Sequence, residues 1–329
     1  MTASLATPSG DNRTMLGIAC GMGAGALWGL VFLAPALLRE VAPLQQAIGR
    51  YLAYGLISAV LLAPRWRALK PSLMRRDWLS LLWLSLAGNT LYYVLLSTAV
   101  QKAGIATTSL IIGFLPVAVT IIGSRDRHAV PLGRLLPSIL LCVAGVICIG
   151  WQALAPSTPG DSGQRGLGFL CAIGALISWT AYAVGNARCL ARNGHISAHD
   201  WNLLTGVVTG TQALLLIPLS ALVEPLRHTP AVWVQLAIVS CTVAVLASLV
   251  GNALWNRMSR LLPLTMVGQM ILFETLFALL YGLIWEHRLP LPLEVAAFAL
   301  VMTSVLTCIA AHRRHAAGAS PAEIIEPAL

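Results

Sequence analysis

The chain is short of charge, and that shortage decides its class. Only 10% of its 329 residues are charged, 57% are hydrophobic, and the mean hydropathy is +0.79. Water-facing domains carry about 25% charged residues, so this chain cannot cover itself as a soluble globule does. Acidic residues are scarcest, at 12 against 21 Lys and Arg, for a net charge of +9. Gathered in one patch, that excess would suit nucleic acid. Instead the basic residues fall mostly between long apolar runs, which argues against a nucleic-acid partner and for a lipid bilayer. Recognisable ligand motifs are missing too. The seven cysteines, Cys20, Cys142, Cys148, Cys171, Cys189, Cys241 and Cys308, form no Cys-x-x-Cys pair and read as small buried hydrophobes. There is no His-Glu-x-x-His and no Gly-x-x-x-x-Gly-Lys, so neither a metal, an ATP site nor another cofactor is expected. The seven histidines lie in loops, span ends or the tail and read as solvated.

What is present is a series of apolar runs, each near the roughly 20 residues that a bilayer crossing needs. They predict spans over residues 15–38, 44–63, 78–100, 103–124 and 132–153, then 166–187, 201–222, 230–254, 260–285 and 292–311. Residues 154–165 read as a Pro/Gly/Ser linker, and 1–14 and 312–329 as cytoplasmic tails. With the N-terminus inside, fifteen of the 21 basic residues fall on one side, among them Arg65, Arg67, Lys70, Arg75 and Arg76. The other side keeps Arg39, Arg50, Lys102, Arg165, Arg227 and Arg288. The bias places both termini in the cytoplasm.

The halves 15–153 and 166–311 echo each other. Gly88-Asn89-Thr90-Leu91-Tyr92-Tyr93 in the third span matches Gly251-Asn252-Ala253-Leu254-Trp255-Asn256 in the eighth. Trp28 matches Trp179, Phe114 matches Phe273, and Gly123 matches Gly282. Five spans are an odd number, so the repeat must enter the membrane from the opposite side. The expected fold is all-α integral membrane: ten transmembrane helices as two inverted five-helix repeats, with a site between them near the midplane.

Ala26-Leu27-Trp28-Gly29, Arg50 early in the second span, Pro116 in the fourth, and Glu274 followed by Trp285-Glu286 in the ninth carry a resemblance. On these residues the chain resembles the EamA family within the drug/metabolite transporter superfamily, over nearly all of residues 15–311. The resemblance implies ten helices in the plasma (inner) membrane, both termini cytoplasmic, and transport of amino acids, related metabolites or drugs. Two departures stand out. Thr275 follows Glu274 where the family often has proline, which predicts a less kinked helix. Arg127 stands where the second half has Glu286.

Glu274 is the one carboxylate deep inside a predicted span. Burying it costs at least about 2.5 kcal/mol, so it should face the bundle interior. There it would couple protons, bind a substrate amine, or serve as a polar link between helices. Arg50 would either bind a substrate carboxylate through its fork or snorkel to the membrane surface. Together the two would suit a zwitterion. Asn89, Tyr92 and Tyr93, spaced i, i+3, i+4, share a helix side, as do Asn252, Trp255 and Asn256. Amides that donate and accept suit a polar solute; equally, they make interhelical hydrogen bonds of about 0.6 kcal/mol. Gln269, five residues before Glu274, falls off its face. Trp28, Trp179 and Tyr182 would line a cavity for a flat solute or simply pack. Trp66, Trp78, Trp151, Trp201 and Trp233 read as interfacial belt residues. Gly17, Gly21, Gly25 and Gly29 form a stripe that lets another backbone approach closely.

The reading these features favour is a secondary transporter of a small-molecule substrate. It would export amino acids or related metabolites by alternating access, with protons as the candidate coupling ion. A non-transporting membrane scaffold or sensor is the alternative. An intramembrane enzyme would need a nucleophile–base pair or a metal triad at depth, and the spans offer neither.

Overall fold

A computed structural model of the protein describes residues 10–38, 40–126, 129–151, 162–223, 228–285, 287 and 289–318. Most of the expected linker lies outside them, as do Arg39, Arg127, Arg227, Arg288 and Glu286. The described backbone is helical, without strands. Helix α1 (Gly10–Gly29) ends in a 3-10 turn, Leu30–Phe32, and a one-turn helix, Ala34–Leu37. Helix α2 (Pro43–Leu62) opens on a proline, whose missing N–H would have no partner there. Then come α3 (Arg75–Ser85), α4 (Leu91–Ile112), α5 (Leu115–Gly123) and α6 (Leu132–Trp151). The rest holds α7 (Ser162–Arg192), α8 (Ala198–Val223), α9 (Pro230–Val243) and α10 (Asn252–Leu261). Helices α11 (Leu264–Met270), α12 (Leu272–Trp285) and α13 (Pro292–Gly318) complete it.

Seven helices among the described residues are long and apolar enough to cross a membrane by length and composition. They are Asn12–Phe32, Pro43–Ser72, Arg75–Ala103, Gly163–Arg192, Ala198–Leu222, Pro230–Leu261 and Val295–His315. Leu132–Cys148 and Leu264–Ala278 are apolar but shorter. The expected fourth and ninth spans are the ones that differ most. No loop separates the third and fourth spans at residues 101–102: helix α4 runs on to Ile112. The break falls instead at Gly113-Phe114, and Pro116 sits in the first turn of α5, where a proline is tolerated. The ninth span is interrupted at Ile271, one turn before Glu274, although Thr275 replaces the proline. Ile271 keeps helical φ and ψ, and the two pieces have different main partners. Helix α11 packs against α5, whereas α12 packs against α1.

That second contact uses the glycine stripe. A Cβ on Gly25 would lie 2.6 Å from the Cβ of Phe273 and 2.8 Å from the backbone nitrogen of Glu274. Gly29 meets Ala278 in the same way. The other main contacts pair α2 with α8, α4 with α7, and α6 with α13. Several are reciprocal. A Cβ on Gly55 or on Gly210 would lie 2.6 Å from the other's Cα. The hydroxyls of Ser138 and Ser304 each donate to the other's carbonyl, at 3.0 and 2.7 Å.

Candidate functional site

Two stretches depart from α-helical pairing: Leu86–Thr90 between α3 and α4, and Ala244–Gly251 between α9 and α10, both π-helical. Each covers or adjoins one copy of the Gly-Asn repeat. A π turn disturbs the regular i→i−4 ladder, and side chains from facing helices donate to the carbonyls of these stretches. In the first, Ser178 donates to the Ala87 carbonyl (2.7 Å) and Tyr51 to that of Asn89 (3.1 Å). In the second, the Trp28 indole donates to Ala247 (3.1 Å) and Asn202 to Leu249 (2.9 Å). The glycines of the repeat have matching duties. A Cβ on Gly88 would sit 2.3 Å from the Tyr182 ring, and one on Gly251 would sit 2.8 Å from the Trp28 indole nitrogen. So glycine admits an aromatic ring, and the asparagine after it reaches the cavity.

That cavity lies between these elements and is lined by Arg50, Glu274, Asn89 and Asn252, with Trp28, Trp179, Tyr92 and Tyr182 as aromatic wall. Tyr51, Gly88, Val31, Phe32 and Leu96 complete it. Its cavity volume is about 30 Å³. A water needs roughly 10–15 Å³ measured this way, so the conformation holds about two waters and no organic solute. Three tryptophans close the aromatic side. Trp28 lies 5.8 Å from Trp179 in an edge-on contact, and Trp255 lies 5.1 Å from Trp28 and 5.3 Å from Trp179.

The two charges of the cavity do not pair. Glu274 is half-buried in the first turn of α12, where a helix N-terminus favours a carboxylate. Its backbone N–H donates to the Ile271 carbonyl (3.0 Å), but its carboxylate makes no hydrogen bond or ion pair with any described residue and meets the Arg50 charge only across the cavity. Arg50 does not snorkel: it is 8% exposed, its Nε donates to Ser248 Oγ at 3.0 Å, and its guanidinium lies over the rings of Tyr51 and Tyr93. Helix α2 carries it inward because Arg50 falls on that helix's buried face, with Ala47, Tyr51 and Tyr54.

Four residues expected at the site are packed away from the cavity. Tyr93 lies behind Arg50, since consecutive helical residues point about 100° apart and Tyr92 takes the lining position. Trp255 backs the other two tryptophans. Asn256 accepts from Asn186 (2.8 Å), whose own oxygen accepts from the Trp201 indole (3.0 Å). Gln269 donates to Thr120 (3.3 Å) and its oxygen lies 3.2 Å from the Ser304 hydroxyl, joining α11 to α5 and α13. Two broader expectations also fail. Trp201 is 1% exposed and belongs to the core, not to a belt. His312 bonds Thr265 at 2.6 Å and is engaged rather than solvated, whereas His195 stays exposed, 3.5 Å from the buried Asp77. Sequence reasoning missed Tyr51, Ser178, Asn202 and Ser248. Polar residues inside apolar runs, next to residues already singled out, were the available signal.

The model of the EamA-like transporter family matches residues 15–151. The inner membrane protein YtfF of Escherichia coli (strain K12) is 31% identical over 316 residues, which cover 90% of this chain and 95% of that protein. The chain belongs to the EamA-like transporter family. It is accordingly a multi-pass membrane protein of a family of transporters rather than enzymes. A crystal structure of another protein, 17% identical, superimposes with a TM-score of 0.70 over 92% of this chain and 98% of its own. That likeness speaks for the fold alone.

Proposed function

We propose that this EamA-family protein is a secondary transporter that exports a small zwitterionic solute, an amino acid or related metabolite, by alternating access. The observation that carries the proposal is the unpaired Arg50 and Glu274 in one cavity with aromatic walls contributed by both halves of the chain. A guanidinium suits a carboxylate, a carboxylate suits an ammonium, and stacked indoles suit the apolar remainder. The architecture we assign is ten spans in two inverted halves, 15–153 and 166–311, with both termini cytoplasmic. The reciprocal contacts of Gly55 with Gly210 and of Ser138 with Ser304 support it, as does the matched bonding of the two π-helical stretches. A cavity that admits about two waters must widen to admit solute, so the halves must part. Glu274 is the coupling group we assign, since nothing holds its carboxylate.

Flux of labelled amino acids into and out of proteoliposomes, with and without a pH gradient, tests the proposal. Gradient-dependent flux of at least one class is expected, and Glu274→Gln should abolish it or remove its pH dependence. Unchanged pH-dependent flux in that variant would remove Glu274 from the mechanism. The narrow cavity also favours a second reading, a non-transporting scaffold or sensor, and the absence of flux for every class would select it.

A further inference from the structure

Arg50 is held more firmly than a cavity-lining side chain needs to be. Its guanidinium carbon lies 5.2 Å from the centre of the Tyr51 ring and 4.9 Å from that of Tyr93, which meet edge-on at 6.0 Å. Tyr51 is itself fixed by the bond from its hydroxyl to the Asn89 carbonyl, 3.1 Å. From the other half of the chain, the fully buried Ser248 accepts the Nε proton at 3.0 Å. Three contacts thus come from α2, from α4 and from the π-helical stretch that precedes α10. None supplies negative charge, and no carboxylate among the described residues lies within ion-pair distance of Arg50.

A buried cation with no carboxylate in contact is costly; aromatic faces and hydroxyls offset part of that cost, and Glu274 acts on it only from across the cavity. A guanidinium has five N–H donors in a planar fork. Nε is committed to Ser248 and the guanidinium also bonds the Tyr93 hydroxyl, and the remaining N–H groups of the planar fork suit a planar, two-oxygen acceptor. Lysine, a point charge without that plane, could not be preset in this way.

We infer that Arg50 is a preset receptor for the carboxylate of the solute, and that Ser248, Tyr51 and Tyr93 are positioning residues that set selectivity for it. The inference rests on the transporter reading for its solute, and it adds a role for the second π-helical stretch. That stretch fixes the orientation of the carboxylate subsite from across the boundary between the halves. It also accounts for Tyr93, which the cavity itself does not use.

The test compares carboxylates with their amides on the purified full chain in lipid nanodiscs. The probes are L-phenylalanine with L-phenylalaninamide and L-leucine with L-leucinamide, followed through the fluorescence of the tryptophans at the cavity. Wild type should bind the acid of at least one pair about tenfold more tightly than the amide, the scale of a charge-assisted bond. Arg50→Lys should lose that preference. Ser248→Ala should weaken the acid several-fold and leave the amide unchanged, and Ser248→Thr, which keeps the hydroxyl, should restore it. Tyr93→Leu, a second way to loosen the same guanidinium, should act like Ser248→Ala. If wild type binds no acid better than its amide, the receptor assignment is overturned. If Arg50→Lys loses the preference while Ser248→Ala and Tyr93→Leu keep it, the positioning role is overturned. Preferential acid binding without flux in proteoliposomes would defeat the transporter reading and leave the carboxylate subsite standing.

Discussion

The two ends of the helix bundle are closed by different chemistry. At one end, the segment from Arg188 to Asp200 gathers charge. Asp200 takes a two-pronged contact from Arg65, at 2.7 and 3.0 Å. The buried Asp77 accepts from the Met74 backbone (2.9 Å) and from Asn193 (3.0 Å) and faces His195. Arg260 donates to the carbonyls of Asn193 and Ile196, and Arg188 meets Asp126. At the other end most of the described bonds join neutral groups, with Lys102 donating to the Gln164 side-chain oxygen. Gln46 donates to the carbonyls of Leu38 (3.0 Å) and Val41 (2.8 Å), Gln235 donates to Leu37, and His228 meets Gln45. A small apolar cluster of Leu38, Val41 and Leu236 lies beneath them. The difference follows from the basic bias of the sequence: acidic partners are few, and the described ion pairs spend them at the end where arginine is concentrated. If the halves rock, that end has the more specific set of bonds to break.

Asp77→Ala should break the comparison hardest. It leaves the Met74 N–H and the Asn193 amide without their acceptor, and a buried donor left unpaired costs about 1–3 kcal/mol. Thermal unfolding in detergent should show the largest loss of any single change at either end. A loss no greater than that of Gln46→Ala would mean the charged end is not the tighter one. Gln46→Ala should cost about 1 kcal/mol. It removes two bonds, but also a side-chain oxygen that is buried without a partner, which tempers the loss. Asp200→Asn should lower stability less, because Arg65 is 52% exposed. Added salt should shrink the difference from wild type, and a salt-independent loss would show that the pair is shielded from solvent. Arg188→Gln should be nearly silent, since both partners are exposed and such pairs are worth little. A melting temperature clearly below wild type would extend the charged closure to Asp126.

How legible the site was depended on how far each residue's surroundings were local. Glu274 could be singled out because a carboxylate in an apolar run is conspicuous whatever packs around it. The Gly-Asn repeat was visible as a repeat, but not as a pair of π-helical stretches. Those depend on donors, Ser178, Tyr51, Trp28 and Asn202, on other helices. Helical spacing put Tyr93 with Tyr92 and Asn256 with Asn252, yet each pair splits. Spacing says which residues share a side of their own helix, whereas lining depends on what faces that side. The interruption before Glu274 was missed as well: no proline marks it, and the pieces on either side have different main partners, α5 and α1.

The sequence by itself determined the membrane character, the helical class, the family and the few polar residues that an apolar interior must account for. Those follow from composition and local pattern, which survive any arrangement of the helices. Tertiary structure alone decided that Arg50 lies between two tyrosines with Ser248 at its Nε, that Glu274 shares its cavity without pairing with it, and that Trp255 and Gln269 serve packing. Arg50 and Ser248 stand far apart along the chain, and burial and partners are properties of contacts that no periodicity within a span encodes. The shortage of charge is what makes those contacts count. With so few ionic groups in an apolar bundle, where each one is held decides what it can do.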